Sequence, residues 1–170
     1  MKEFNNIILI GMPGSGKSVI GRLLAKDINY HFLDTDQYIE QQTQKTLQQI
    51  LDDEGKDRFC QIEEESIMEL LPLEKYVIAP GGSVIYSEAL MKNLKKNGLI
   101  LFLLVSLNEL QSRLKNKETR GIVGLKEKSL GALYEERQPL YMKYADMIIN
   151  CTEKTPTEIR EEIKKEIGIT

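Results

Sequence analysis

Residues 11–18 read GMPGSGKS, a full match to the phosphate-binding loop pattern G-x-x-x-x-G-K-[ST]. A triphosphate is held by backbone N–H groups, so the chain must approach it with no Cβ in the way. Gly11, Gly14 and Gly16 allow that approach and the positive φ it requires. The helix expected to open near Gly16 aims its positive end at the same oxygens. Lys17 brings a mobile charge for the β and γ phosphates, and the Ser18 hydroxyl is placed to ligate Mg²⁺. At ordinary residue frequencies a chain of this length matches by chance about one time in a hundred. The surroundings lower that figure further. Residues 5–10 (NNIILI) form a short apolar run before the loop, and Val19, Ile20, Leu23 and Leu24 follow it at helical spacing.

The remainder of the chain repeats this alternation. Strands are expected at residues 5–10, 31–33, 76–79, 99–105 and 147–150, all continuous apolar runs, as parallel strands covered on both faces should be. Capping boxes start helices at Thr46 with Gln49, Ser106 with Glu109, and Thr155 with Glu158, the last with Pro156 in the first helical position. Ile159, Ile163 and Ile167 form one stripe on the final helix. These features predict an α/β fold with a five-stranded, mostly parallel sheet, and 170 residues suit one domain. A net charge of −3 with scattered Lys and Arg excludes a nucleic-acid footprint. The longest apolar run, residues 99–105, is far too short to span a bilayer, and residues 1–3 lead into the first strand without a signal-peptide pattern. Cys60 and Cys151 fit no zinc or redox spacing, so a reduced cytoplasmic setting is expected.

Four further groups carry chemistry. Asp34 and Asp36 flank Thr35 at the end of the second strand, which places two acids beside the phosphate loop. Phosphoryl transfer needs a metal partner and a partner for the acceptor hydroxyl; the competing role is a helix cap, with Asp36 before residues 37–42. Residues 79–83 (APGGS) allow backbone N–H groups of Gly81 and Gly82 to meet a ligand, although Pro-Gly is also an ordinary turn. Arg137 shares a helix face with Leu130, Leu133, Tyr134, Tyr141 and Tyr144, so it needs an anion, from the protein or from a ligand. Arg113 and Arg120 can reach toward phosphates. Arg120 lies in residues 115–128, a polar stretch with Gly121 and Gly124 that suits either a lid or a surface loop. The single histidine, His31, is read as structural, which leaves carboxylates as the only general bases.

In order and spacing, the loop Gly11–Ser18, the run Leu33-Asp34-Thr35-Asp36, the Gly81-Gly82 turn, Arg120 and the run Arg137-Gln138-Pro139-Leu140-Tyr141 resemble the shikimate kinase family. The resemblance implies a P-loop kinase of three layers, with a helical substrate-binding segment over residues 37–71 and a lid over 115–128. It implies transfer from ATP, with Mg²⁺, to a hydroxyl of a small metabolite, shikimate giving shikimate 3-phosphate in aromatic amino-acid biosynthesis, by a cytoplasmic monomer. By the same resemblance Gly11, Gly14, Ser15, Gly16, Lys17, Ser18, Arg113 and Arg120 bind ATP, and Ser18 and Asp34 place the metal. Asp36, Gly81, Gly82 and Arg137 bind the acceptor, and Lys17, Asp36 and Arg120 serve catalysis. The chain departs from the family at Cys60, where an arginine helps clamp the substrate carboxylate, at Pro80 in place of a glycine, and at Gly121-Ile122 after Arg120. Arg58 falls on the polar row with Gln61, Glu65 and Glu69, about 160° around the helix from position 60. A sister kinase with another hydroxylated acceptor, or a nucleotide-binding regulator without transferase activity, are the competing expectations.

Overall fold

β1 (Asn6–Ile10) is buried at every position and forms the centre of the sheet. Its one polar residue is fully satisfied. Asn6 Nδ2 donates to the carbonyls of Leu73 (2.5 Å) and Asn97 (2.8 Å), and Oδ1 accepts from the Tyr76 amide. The computed structural model describes residues 4–115 and 121–169. Within them β2 (His31–Asp34), β3 (Tyr76–Ala79), β4 (Leu99–Leu104) and β5 (Met147–Asn150) complete a sheet of order β2-β3-β1-β4-β5. Every pairing is parallel. The central strands are continuous apolar runs because helices cover both faces. α1 (Lys17–Ile28) and α7 (Pro156–Glu166) pack together on one face. Right-handed crossovers place α4 (Glu88–Asn97) and α6 (Leu130–Tyr144) on the other. The chain leaves β1 toward β2 on one side and later β4 on the other, so the crevice beyond β1 is where a ligand belongs in such a sheet.

α2 (Thr35–Thr43) and α3 (Leu47–Leu70) stand between β2 and β3 and pack on each other. They have a small core of their own, formed by Ile39, Leu47, Ile50 and Phe59 with Val123. α3 is broken at Gly55, whose φ of 77° and ψ of 171° belong to a region that only glycine enters easily. α5 (Leu107–Lys115) leads to residues 116–120, so Arg120 and the first part of the expected lid lie outside the described residues. The second part, residues 121–128, is a series of turns docked on the α2–α3 unit: Val123 is buried, and the Gly121 amide donates to Gln48 Oε1 at 3.1 Å.

Two local expectations are corrected. The cap of α2 is Asp34, not Asp36: Asp34 Oδ1 accepts from the amides of Asp36 and Gln37, so the helix starts at Thr35. The Ser106–Glu109 box is only half formed. The Glu109 amide donates to Ser106 Oγ, but the Glu109 carboxylate is drawn to Arg113 and the Glu153 amide. The boxes at Thr46 and Thr155 are reciprocal, as their spacing predicts.

Candidate active site

The loop between β1 and α1 owes its shape to its glycines. Gly14 (φ 82°) and Gly16 (φ 97°) adopt left-handed backbone, and Gly16 caps α1, so the helix opens directly out of the loop. Lys17 Nζ folds back to donate to the carbonyls of Gly11 (2.8 Å) and Met12 (3.0 Å). Burial lowers its pKa to about 8, against the opposing pull of Asp36. Ser18 Oγ donates to Asp34 Oδ2 at 2.6 Å, so one carboxylate caps α2 with one oxygen and meets the loop with the other. Ser15 Oγ is buried with no hydrogen-bond partner among the described residues.

The opposite wall is built by β3, α3 and α6. Asp36 stands across from Lys17, and burial, reinforced by Asp34, raises its carboxyl to about 6. Behind it lies Glu63, buried in the middle of α3 and 2% exposed. Its Oε2 accepts from Ser83 Oγ at 2.6 Å, and its Oε1 has no hydrogen-bond partner among the described residues. Burial raises this carboxyl to about 7, with Asp36 adding to the rise and the Ser83 hydrogen bond opposing it. Gly81 leaves room for both carboxylates: a Cβ there would stand 2.3 Å from Glu63 Oε1 and 2.9 Å from Asp36 Oδ1 and would push them aside. Gly82 is pressed in the same way against Arg137 Nη1 and Pro13, and its carbonyl accepts from Tyr141 Oη at 2.6 Å.

Arg137 is 1% exposed. Its Nε donates to Tyr86 Oη at 3.1 Å and its Nη2 to the Val123 carbonyl at 2.7 Å, and it has no carboxylate in ion-pair range among the described residues. A buried guanidinium held only by neutral groups retains most of the desolvation cost of its charge, which an incoming anion would offset.

These groups converge on one cavity of about 300 Å³. Of the residues singled out from sequence, Gly14, Gly16, Lys17, Ser18, Asp34, Asp36, Gly81, Gly82 and Arg137 line it. Gly11 and Ser15 are buried within the loop, off the cavity wall. Arg113 also stands off the wall: it donates to the Gly14 carbonyl at 2.9 Å and pairs with Glu109. Arg120 lies outside the described residues. Cys60 lines a smaller neighbouring pocket of about 140 Å³, with Glu63, Ser83 and Tyr86. Arg58 is turned away to Gln61 and Glu65, as its helical row predicts. Sequence reasoning missed Glu63 as a site residue. The available signal was position: of the run Glu63-Glu64-Glu65, Glu63 alone lies four residues from each of Phe59 and Ile67, both buried on the same face of α3.

A family model described as Shikimate kinase matches residues 13–168. The shikimate kinase of Thermodesulfovibrio yellowstonii is 40% identical over 163 residues, covering 95% of this chain and 94% of the relative. One from Clostridium botulinum is 37% identical over 161 residues, covering 95% and 96%. Among solved structures, the shikimate kinase from Acinetobacter baumannii in complex with shikimate superposes with a TM-score of 0.86 at 30% identity, over 96% of this chain and 92% of that one.

Proposed function

The chain belongs to the shikimate kinase family, and from that premise we propose that it transfers the γ-phosphoryl group of ATP to the 3-hydroxyl of shikimate. The observation that carries the proposal is the facing of Lys17 and Asp36 across one cavity, with the Gly81–Gly82 backbone beside them and a buried Arg137 that has no carboxylate partner among the described residues. The phosphate loop supplies backbone donors and the α1 N-terminus for the nucleotide. Lys17 leaves the carbonyls of Gly11 and Met12 to reach the β and γ phosphates, which restores its full charge. Ser15 Oγ, buried and unpaired, is a further donor on that side. Arg113 steadies the loop through Gly14, and Arg120 serves the transferring group from the lid.

Ser18 Oγ and Asp34 Oδ2, two hard oxygens 2.6 Å apart beside the loop, are the residues that would hold a Mg²⁺ ion. Such an ion, when bound, neutralises charge developing between the β and γ phosphates. Asp36 orients the acceptor hydroxyl and takes its proton as the O–P bond forms and the bond to the ADP oxygen breaks. A carboxyl held near 6 is well matched to that task at neutral pH. Gly81 and Gly82 position the acceptor through backbone, and Arg137 meets its carboxylate. α2 and α3, over residues 37–71, act as the acceptor-binding segment of a single domain, and residues 115–128 as its lid. The two free thiols are in keeping with a cytoplasmic setting, and no helix among the described residues is long and apolar enough to cross a membrane.

The test is ADP release from ATP and Mg²⁺ with and without shikimate, with the product identified by phosphorus NMR. Shikimate-dependent turnover and a phosphate on the 3-oxygen are expected. ADP release that shikimate does not increase would overturn the assignment. Asp36→Asn should lower kcat by a hundredfold or more, on the order of general-base contributions, while leaving ATP affinity nearly unchanged.

A further inference from the structure

The cations of α3 and of the segments packed around it fall into two groups. Lys45 pairs with Asp53, Arg58 with Glu65, Lys126 with Asp52 and Lys128 with Glu136. Lys56 and Arg137 have no carboxylate partner among the described residues, and both rest on the same aromatic ring. Lys56 Nζ lies 5.7 Å and Arg137 Cζ 5.3 Å from the Tyr86 ring centroid. α3 is rich in acids near this point, with Asp52, Asp53, Glu54 and Asp57 all within four residues of Lys56. An unpaired lysine there is a choice of direction rather than a lack of partners.

The break at Gly55 sets that direction. Lys56 is the first residue after it, so its side chain leaves from the start of the second half of α3. Cys60 follows one turn later on the same face and lies close enough to both Lys56 and Arg137 for its thiol to feel both charges. Glu136, the nearest acid facing Tyr86, is already committed, accepting from Tyr86 Oη at 2.5 Å and pairing with Lys128. Arg137 stands on the wall of the acceptor cavity and Lys56 lines the neighbouring pocket between α3 and residues 122–127, so two cations without an ion-pair partner among the described residues meet at one ring between the two, a place for a single anionic group. An exposed cation–π contact is weak, so Lys56 can leave the ring to meet that group.

We propose that Lys56 is a second cation for the acceptor's carboxylate, acting beside Arg137 with the Tyr86 ring as their common support. This rests on the cavity being the acceptor site. It explains how a neutral Cys60 is tolerated where the family carries an arginine: the charge is supplied one helical turn earlier.

Calorimetric binding of shikimate and of its carboxamide, compared in wild type, Lys56→Gln and Lys56→Arg, tests the proposal, with Lys92→Gln on α4 as the exposed-lysine control. Lys56→Gln should weaken shikimate binding roughly tenfold, the effect of losing one charged hydrogen-bond partner, and leave carboxamide binding unchanged. Lys56→Arg should restore shikimate binding, and Lys92→Gln should bind as wild type. Equal losses for both ligands, no loss, or a wild type that does not prefer carboxylate over carboxamide would each overturn the role of Lys56. Turnover measured in parallel separates the two readings. A wild type that phosphorylates shikimate with no dependence on Lys56 refutes this inference alone. Lys56-dependent carboxylate binding without turnover refutes the kinase assignment alone.

Discussion

At the scale of single residues, three charged groups are held away from their ordinary titration by one cavity: Lys17, Asp36 and Glu63. Lys17 packs against loop carbonyls and contributes no apolar core, so Lys17→Ala should remove phosphoryl transfer by a factor of about 10² or more while leaving the thermal midpoint near wild type. Steady-state turnover and a melting curve on the same sample check both halves. Glu63 has a measurable thermodynamic consequence. Its carboxyl titrates at about 7 in the fold against 4.5 in the unfolded chain, because burial disfavours its charge. A raised folded pKa contributes stability that is present below about 4.5 and lost as pH rises through about 7. Asp36 acts with the same sign over a lower window, up to about 6. Glu63→Gln keeps a partner for Ser83 and removes the ionisation. It should therefore match wild type near pH 5 and exceed it by about 2–3 kcal/mol at pH 8. Denaturant midpoints at the two pH values would show it, and parallel pH profiles of variant and wild type would remove Glu63 as their source.

At the scale of elements, α3 is the piece that makes the site. Its first half carries the small core with α2 and Val123, and its second half carries Glu63 and Cys60. The two halves differ in direction because Gly55 adopts φ 77° and ψ 171°. A Cβ at Gly55 would meet nothing within 4 Å, so the cost of a side chain there is backbone strain and not collision. Gly55→Ala is expected to lose about 1–3 kcal/mol of stability if the break persists. If the helix straightens instead, Lys56 and the acceptor wall shift. In that case the acceptor KM rises while ATP affinity holds, and a titration of each substrate separates the two outcomes. A variant unchanged in both stability and acceptor KM would mean that the break has no consequence.

At the scale of the whole molecule, the cavity lies between two packed bodies: the sheet with its phosphate loop, and the α2–α3 unit with residues 121–128 docked upon it. Ligands that bridge them should draw them together and exclude water, which otherwise competes as phosphoryl acceptor. Amide exchange over residues 121–128 is expected to slow when an ATP analogue and shikimate are both present, and less with either alone. Unchanged exchange at saturation would leave the segment a passive loop. Each ligand at a hundredfold excess over its Kd should also add about 2.7 kcal/mol of stability, read as a rise in thermal midpoint.

The local devices were all legible in one dimension. The phosphate loop, the five apolar strand runs, the reciprocal boxes at Thr46 and Thr155 and the inward face of Arg137 depend on residues within a few positions of one another. Helical and strand periodicity report such neighbourhoods directly. Where a local device failed, a competing partner had won it: Glu109 left its box for Arg113 one turn on and for the distant Glu153 amide, and Asp34, two residues before Asp36, took the cap of α2 while also meeting Ser18. Folding alone could bring Glu63 against Gly81 and Asp36, leave Arg137 without a carboxylate, and turn Lys56 to Tyr86. Each of these depends on what the opposite wall presents to a side chain, and the charge state of a buried group depends on that wall as much as on the group. Hydrophobic spacing carries information about which face turns inward and none about what waits there.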